Sequence, residues 1–329
     1  MNIGHLRHLV ATAIMIVATA ASTPAHAADP LPSWNDGPTK QAIVAFVEKV
    51  TKEGLPGFVP VAERIATFDN DGTLWCEHPV VQLVFAIDRL KVLVDKQPQL
   101  REKPAVAAAL TGNMAYFEKE GEHAIAEIVF LTHTGMTVGD FHELAAKFFK
   151  TAKHPKYGVL LKEATYLPMR ELLAYLRDNG FKTYICSGGG IEFMRAVSQE
   201  IYGIPPEQVI GSAGVLDFQD KDGKAVLLKT PKLLTYNDKQ GKPAGIELHI
   251  GRVPIFAAGN VRTGGDIAML GYSQSSKHPS LQLLVNHDDG DREFAYAEKD
   301  GASLKAAKEH GWAVVNIKDD WKEIFSFKR

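Results

Sequence analysis

The sequence predicts an α/β fold in which helices cover both faces of a mainly parallel sheet. Six short apolar segments indicate strands, and apolar residues at helical spacing fill most of the gaps between them. Short strands that alternate with helices are typical of parallel sheets. The predicted strands are 64–69, 181–186, 208–211, 253–257, 281–285 and 312–316. A chain of 329 residues, 45% of them hydrophobic, is large enough to bury such a core.

The first 27 residues have the three parts of a secretory signal peptide. Arg7 precedes an apolar run at 9–21, and small residues follow, with Ala25 and Ala27 spaced for cleavage. We therefore expect cleavage after Ala27 and a periplasmic or secreted mature protein with no stable membrane association. An uncut membrane anchor is the alternative, although spanning a bilayer takes roughly 20 apolar residues.

The next segment, 29–37, is polar and rich in proline, which indicates a linker. Apolar residues at helical spacing over 42–50 then predict a helix that ends before Gly54. The first strand follows at 64–69 and leads directly into a polar turn, Asn70-Asp-Gly72. This order places the turn at the carboxyl end of a buried strand.

Two stretches interrupt the alternation of strands and helices. Residues 76–159 contain only helical patterns, which predicts an inserted helical cap. The cap helices are expected at 80–94, 105–117, 124–131 and 141–149. Asp222-Gly223 lies between apolar segments 215–218 and 226–228, which predicts a β-hairpin flap. The predicted domains are the signal peptide at 1–27, the core at 28–75 and 160–329, and the cap at 76–159.

Polar and acidic residues follow three of the predicted strands. Asp69 and Asp71 leave the first strand, Ser187 leaves the second, and Asn260 and Asp266 leave the fourth. Open α/β sheets bind their ligands at the carboxyl ends of the strands. We therefore expect these side chains to meet at one edge of the sheet.

These residue types suit phosphoryl transfer. One carboxylate can attack phosphorus, while a second carboxylic acid protonates the leaving oxygen and later activates water. A Mg²⁺ ion held by oxygen ligands would offset the repulsion between the carboxylates and the phosphate. A hydroxyl, backbone N–H groups and a lysine can hold the phosphoryl oxygens. Lys242, just before the fourth strand, is the candidate lysine.

Four segments of the chain resemble, in order, the signatures of the haloacid dehalogenase superfamily. Phe68-Asp-Asn-Asp-Gly-Thr-Leu74 resembles the first signature, Asp-x-Asp-x-Thr after an apolar strand. Ser187 with its glycines resembles the second signature, and Lys242 resembles the third. Gly259-Asn260 with Gly265-Asp266 resembles the fourth. The helical insertion after the first signature resembles the cap of the phosphoserine-phosphatase-like branch.

The resemblance implies a three-layer Rossmann-like core and a Mg²⁺-dependent phosphatase that acts on a small phosphorylated substrate. It implies that Asp69 is the nucleophile and a metal ligand. Asp71 would be the general acid and base, and would bind the metal through its backbone carbonyl. Ser187, Gly188 and Lys242 would hold the phosphate.

The fourth signature departs from the family pattern. Asn260 stands where the family often has an aspartate, and a longer spacer precedes Asp266. Because a carboxylate is the better magnesium ligand, Asp266 is the favoured ligand, with Asn260 direct or water-mediated. Thr73 would support the loop of the first signature.

Alternatives to a phosphatase remain open. A phosphotransferase could use the same adduct on Asp69, and an exported protein could bind a phosphorylated ligand without turnover. The two carboxylates Asp69 and Asp71 favour an enzyme, since binding an anion does not require them. A dehalogenase needs neither a leaving-group acid nor a metal. Nucleic acid is an unlikely class of partner at a net charge of -2 without a basic stripe.

Several individual residues also have alternative interpretations. Lys229 or Lys232 could hold the phosphate in place of Lys242. The segment 287–293 clusters histidine and carboxylates, but an acidic, solvated loop is the favoured interpretation. Glu77 and His78 could contact the substrate or form a polar linker.

The two cysteines of the chain, Cys76 and Cys186, lie beside the first and second signatures. An oxidising compartment permits a disulfide between them. Two buried thiols are the favoured interpretation, since two cysteines do not make a disulfide framework.

Overall fold

The structure, a computed structural model, describes residues 29–120, 122–262 and 264–328; the predicted signal peptide lies outside them. Its strands are β1 Ile65–Phe68, β2 Lys182–Gly190, β3 Val209–Lys221, β4 Lys224–Thr235, β5 Phe256–Asn260, β6 Leu281–Asn286 and β7 Ala313–Asn316. Its helices are α1 Pro38–Thr51, α2 Val81–Lys96, α3 Pro104–Thr111, α4 Met114–Glu120, α5 Glu122–His133, α6 Val138–Thr151, α7 Leu167–Asp178, α8 Ile191–Arg195, α9 Ser198–Tyr202, α10 Gly241–Ile250, α11 Ile267–Gln274, α12 Ala302–His310 and α13 Ile317–Asp320.

The seven strands form one sheet in the order β4-β3-β2-β1-β5-β6-β7. All neighbouring pairs are parallel except β3 and β4, which pair antiparallel as a hairpin. The predicted α/β class is therefore confirmed. In the central strand β1, Phe68 pairs with Ile185 of β2 and Ala258 of β5. This register brings the carboxyl ends of β1, β2 and β5 to one edge of the sheet.

Helices α2 to α6 follow β1 and precede β2, as predicted for the insertion at 76–159. One predicted helix, 105–117, is wrong as a single element. It divides into α3 and α4 because Gly112 has φ +68, the left-handed conformation that ends a helix. The insertion packs on the core through aromatic rings. Phe85 of α2 and Phe149 of α6 lie 5.1 and 4.9 Å, centroid to centroid, from Phe193 of α8.

β3 runs without a break from the core sheet into the hairpin, where the sequence predicts two separate strands. β2 also exceeds its prediction, since it continues through the glycines that end at Gly190. The hairpin touches the inserted helices through backbone hydrogen bonds. The Gly135 N–H donates to the Lys229 carbonyl at 3.0 Å, and the Lys229 N–H donates to the Met136 carbonyl at 2.9 Å.

The segment 29–37 packs on the core, so its prediction as a linker is wrong. Leu31 and Trp34 are buried, and the Trp34 indole N–H donates to the Pro168 carbonyl at 3.0 Å. The Ser33 hydroxyl donates to Glu171 at 2.6 Å. Two large apolar residues among the prolines bury more surface than a solvated linker would, which explains the packing. Among the described residues, no helix is both long and apolar enough to span a membrane.

Candidate active site

Asp69 and Asp266 share one buried lysine. Lys242, in the first turn of α10, donates from Nζ to Asp69 Oδ1 at 2.6 Å and also contacts the Asp266 carboxylate. All three side chains are buried, with at most 9% of each exposed. The sheet explains the meeting, because Asp69 leaves β1 and Asp266 follows the neighbouring β5.

Asn260, the last residue of β5, donates from Nδ2 into the same group. Its acceptors are Asp69 Oδ2 at 3.1 Å, the Asp71 carbonyl at 2.8 Å and the Thr73 hydroxyl at 3.2 Å. Its Oδ1 accepts the backbone N–H of Arg262 at 2.9 Å, so the amide oxygen faces away from the carboxylates. Asn260 therefore ties the turn of the first signature to the end of β5.

Asp71 lies on the turn that begins after Asp69. Its Oδ1 accepts the indole N–H of Trp75 at 2.9 Å. Burial raises the pKa of Asp71 above its ordinary value, although the Trp75 hydrogen bond lowers it. A carboxyl group that keeps its proton at higher pH than usual suits a general acid. Trp75 was not predicted as a site residue, although it lies only two residues after Thr73.

The glycines after Ser187 bring the backbone close to Gln82 and Asp71. A Cβ atom on Gly189 would lie 3.2 Å from Gln82 Oε1, 3.4 Å from Ser187 Oγ and 3.8 Å from Asp71 Oδ2. The Ser187 hydroxyl accepts the Gly189 N–H at 3.1 Å. Because glycine has no Cβ, the backbone can approach these polar side chains closely without a clash.

Gln82 and Asn237 form hydrogen bonds to the backbone of the segment 187–190. The sequence analysis missed both residues. Gln82 of α2 contacts the backbone of Gly190. Asn237 donates from Nδ2 to the Ser187 carbonyl at 2.9 Å, and Asp238 would meet any Cβ on Gly188 at 3.2 Å. Neither Gln82 nor Asn237 belongs to a signature, so no sequence pattern marks them.

The electrostatics of the group follow from its burial. Burial and the charge of Asp266 raise the pKa of Asp69 well above its ordinary value, while Lys242 lowers it. Burial alone would lower the pKa of Lys242, but the Asp266 and Asp69 carboxylates raise it above its ordinary value. Lys242 is therefore an ammonium ion. Two carboxyl groups thus face one ammonium, and a further cation beside them would favour the ionised form of Asp69.

The oxygens present fit a hard divalent cation. Asp69 Oδ2, the Asp71 carbonyl and Asp266 Oδ2 all lie within 3.5 Å of a single atom, Asn260 Nδ2. Carboxylate and carbonyl oxygens are the ligands that Mg²⁺ prefers. Within the described residues, no group of three or more His, Cys, Asp or Glu side chains could hold a metal. The candidate site therefore depends on two carboxylates and one backbone carbonyl.

The structure separates the alternative lysines from this group. Lys229 is buried and pairs with Glu192 at 3.1 Å, and Lys232 is exposed. Lys242 alone among these three lysines contacts Asp69. Glu77 is buried and pairs with Arg262.

The expectation that 287–293 is a solvated loop holds for Asp288, Gly290 and Asp291, which are exposed, and is wrong for His287, Asp289 and Glu293, which are buried. His287 pairs with Glu293, and Asp289 pairs with Arg292. The two cysteines are free, buried thiols, as the favoured interpretation predicts.

A cavity of about 380 Å³ opens beside the loop that follows β5. Its lining residues include Arg262, Tyr296, Glu298, Lys299 and Asp300. Arg262 connects the cavity to Glu77, just after the first signature. The cavity is large enough for a small molecule.

Known proteins resemble this chain in family and in fold. A family model described as haloacid dehalogenase-like hydrolase matches residues 63–232. A search of curated proteins found no match. A protein of unknown function from Anaerococcus prevotii is 16% identical with a TM-score of 0.55, over 84% of this chain and 91% of that chain. This likeness shows a shared fold.

Two further solved structures show weaker similarity. A protein of unknown function from Bordetella pertussis is 13% identical with a TM-score of 0.48, over 78% of this chain and 99% of that chain. A phosphoserine phosphohydrolase-like protein from Francisella tularensis is 16% identical with a TM-score of 0.41, over 78% of this chain and 97% of that chain.

Proposed function

The chain belongs to the haloacid dehalogenase-like hydrolases, and we propose that it hydrolyses a small phosphomonoester through an aspartyl-phosphate on Asp69. The contacts that Lys242 and Asn260 make with the carboxyl groups of the site support this proposal. Lys242 contacts Asp69 and Asp266, while Asn260 joins Asp69 to the backbone of Asp71. These contacts support the assignment of Asp69 as nucleophile, Asp71 as acid and Lys242 as the phosphate-binding cation.

In the first step, a carboxylate oxygen of Asp69 attacks phosphorus and the bond from phosphorus to the leaving oxygen breaks. Asp71 gives its proton to that oxygen as the bond breaks. The raised pKa of Asp71, caused by its burial, keeps this proton available. Lys242 and the backbone around Gly189 hold the phosphoryl oxygens and stabilise the charge that develops on them.

In the second step, water attacks the phosphorus of the aspartyl-phosphate. Asp71, now a carboxylate, takes the proton of that water, and Asp69 leaves as a carboxylate. Inorganic phosphate departs and both residues return to their starting states. Asp71 thus serves both steps in opposite roles.

Asp69, the Asp71 carbonyl and Asp266 would hold a Mg²⁺ ion, with Asn260 beside it. When bound, the ion supplies positive charge that draws the phosphate toward the carboxylates. Lys242 supplies a smaller share of the same charge from the opposite oxygen of Asp69. We also propose that the protein is exported to the periplasm or beyond, which the pattern of residues 1–27 supports.

The test is release of inorganic phosphate by the purified protein with Mg²⁺ from phosphorylated amino acids, sugars, nucleotides and choline phosphate. We expect turnover of at least one class, and none by Asp69→Asn, since an amide is a poor nucleophile. Asp319→Asn, at an exposed position, is the matched control and should keep full activity. Transfer of phosphate to an alcohol without release would indicate a phosphotransferase. Binding without any turnover across the panel would contradict the proposal.

A further inference from the structure

A buried chain of hydrogen bonds runs from the core to the catalytic turn. The Tyr166 hydroxyl donates to Glu293 Oε1 at 2.6 Å. Glu293 Oε2 lies 3.2 Å from Nδ1 of His287, whose Nε2 lies 2.8 Å from the Gly72 carbonyl. His287 and Glu293 side chains are at most 1% exposed. The chain thus ends on the residue between Asp71 and Thr73.

Both ring nitrogens of His287 face hydrogen-bond acceptors. A backbone carbonyl such as that of Gly72 can only accept, so Nε2 carries a proton. Burial raises the pKa of Glu293, but the hydrogen bonds from His287 and Tyr166 hold it below its ordinary value. Glu293 is therefore a carboxylate, which also only accepts. His287 thus lies between two acceptors, and its Nε2 proton goes to the Gly72 carbonyl while Nδ1 faces Glu293.

The same turn is enclosed on its other sides. The Gly72 N–H donates to the Trp75 carbonyl at 2.9 Å. A Cβ on Gly72 would lie 2.7 Å from Glu77 Oε1 and 2.9 Å from the Tyr296 hydroxyl, so a side chain there would displace both groups. The ring of Tyr296 stacks on His287 at 4.2 Å between centroids. These contacts restrict the conformation of the Asp71–Gly72 segment.

We propose that His287 is a positioning residue, which holds the catalytic turn in place by donating from Nε2 to the Gly72 carbonyl while Glu293 holds its other nitrogen. This inference rests on the proposed function, since the turn carries Asp69 and Asp71. A fixed Gly72 carbonyl sets the direction of the adjoining Asp71 backbone and carboxyl. His287 contacts neither substrate nor metal ligand in this arrangement and acts only through the turn.

The first test does not depend on activity. In the full chain labelled with ¹⁵N, the ring nitrogens of His287 are assigned by their loss in His287→Gln. We expect Nε2 to carry a proton, because it faces the Gly72 carbonyl. The indole N–H signal of Trp75 reports on Asp71, because it donates to that carboxylate. It should shift in His287→Leu.

The matched control is a second histidine–carboxylate pair. His278 Nε2 lies 2.7 Å from Glu63 Oε2, before β6 and β1 and thus at the opposite edge of the sheet. His278→Leu should leave the Trp75 signal unchanged. An Nε2 without a proton, or an unmoved Trp75 signal in His287→Leu, would overturn the inference even if the protein had no phosphatase activity.

The second test is kinetic. We expect His287→Leu to lower kcat by about a hundredfold with little change in KM, because a small misplacement of reacting groups costs about that much. His287→Gln should recover most of kcat, since its amide can still donate to the Gly72 carbonyl. Thermal melts show whether each variant is folded. A folded His287→Leu variant with native kcat, or a folded His287→Gln variant no better than His287→Leu, would contradict a positioning role.

Discussion

Gln82 and Gly190 are joined through both atoms of the glutamine amide. Oε1 accepts the Gly190 N–H at 3.0 Å, and Nε2 donates to the Gly190 carbonyl at 3.5 Å. Gln82 lies in the first turn of α2, and Gly190 ends β2. One side chain thus connects the inserted helices to the backbone expected to hold phosphate.

Gln82→Ala should lower kcat/KM by about tenfold, because it removes two hydrogen bonds worth about 0.5–1.5 kcal/mol each. The loss should appear mainly in KM, since the alanine no longer orders the backbone around Gly190 before the substrate binds. Gln97→Ala, an exposed position at the far end of α2, is the control and should match the native protein. Steady-state kinetics with the best substrate check both. Equal kinetics for the two variants would mean that Gln82 has no role in binding.

Asp71→Asn should separate the two chemical steps. With an activated aryl phosphate the leaving group needs little acid, so Asp69 can still be phosphorylated. The adduct should persist, because asparagine cannot activate water, and steady-state turnover should fall by at least about a hundredfold. Rapid-mixing assays should show a burst of phenol, and mass spectrometry should find one phosphate on the peptide that contains Asp69. Native turnover of alkyl phosphates by this variant would remove Asp71 from the mechanism.

Mg²⁺ should bind to the native protein and bind much more weakly to Asp266→Asn, which loses a charged oxygen ligand. Calorimetric titration measures this directly, without a substrate. Treatment with EDTA should also abolish activity, and added Mg²⁺ should restore it. The control is Asp288→Asn, an exposed position in the loop after β6. Full activity after complete chelation would exclude the metal.

Lys242→Met should make stability strongly dependent on pH in the presence of EDTA. Burial and the Asp266 charge raise the pKa of Asp69 above its ordinary value of 3.8, and loss of the ammonium raises it further. A carboxyl group with a raised folded-state pKa stabilises the fold most below its unfolded pKa. That contribution is lost as pH rises through the folded-state pKa.

The Lys242→Met variant should therefore approach native stability near pH 4 and lose about 3–5 kcal/mol at pH 8. Urea unfolding at several pH values measures the difference in the free energy of unfolding. Lys232→Met, at an exposed position, should show no such trend. A pH-independent difference would show that Lys242 does not offset the charge of Asp69.

Protein exported by its native host should begin at Ala28. Ala25 and Ala27 provide the small residues of a cleavage site, and the apolar run before them has the length of a signal core. Mass spectrometry of the exported protein gives its first residue. A protein that retained Met1 would contradict cleavage.

The residues that the sequence located correctly share one property. Asp69, Ser187 and Asn260 each end or follow a buried strand, and parallel strands bring their carboxyl ends to one edge. Position along the chain was therefore enough to predict that they meet. The departure at Asn260 was visible as well, but its contacts with Asp69 and Asp71 required the structure.

The residues that the sequence analysis missed or misplaced depend on partners far along the chain. Gln82 and Gly190 are separated by 108 positions, and His287 and Gly72 by 215. Polar residues in a loop usually indicate solvent exposure. Glu293 is an exception, because Tyr166 and His287 form hydrogen bonds with its carboxylate oxygens inside the protein. Local patterns hold no information about such pairs.

Because β3 is unbroken, the hairpin and the core sheet share one continuous strand. At its beginning Ile210 pairs with Cys186, directly before Ser187, and beyond its far end Lys229 of β4 bonds to the segment between α5 and α6. The strand that forms the hairpin therefore also borders Ser187. The segment between α5 and α6 thus has a continuous backbone connection to the edge of the sheet that carries the site.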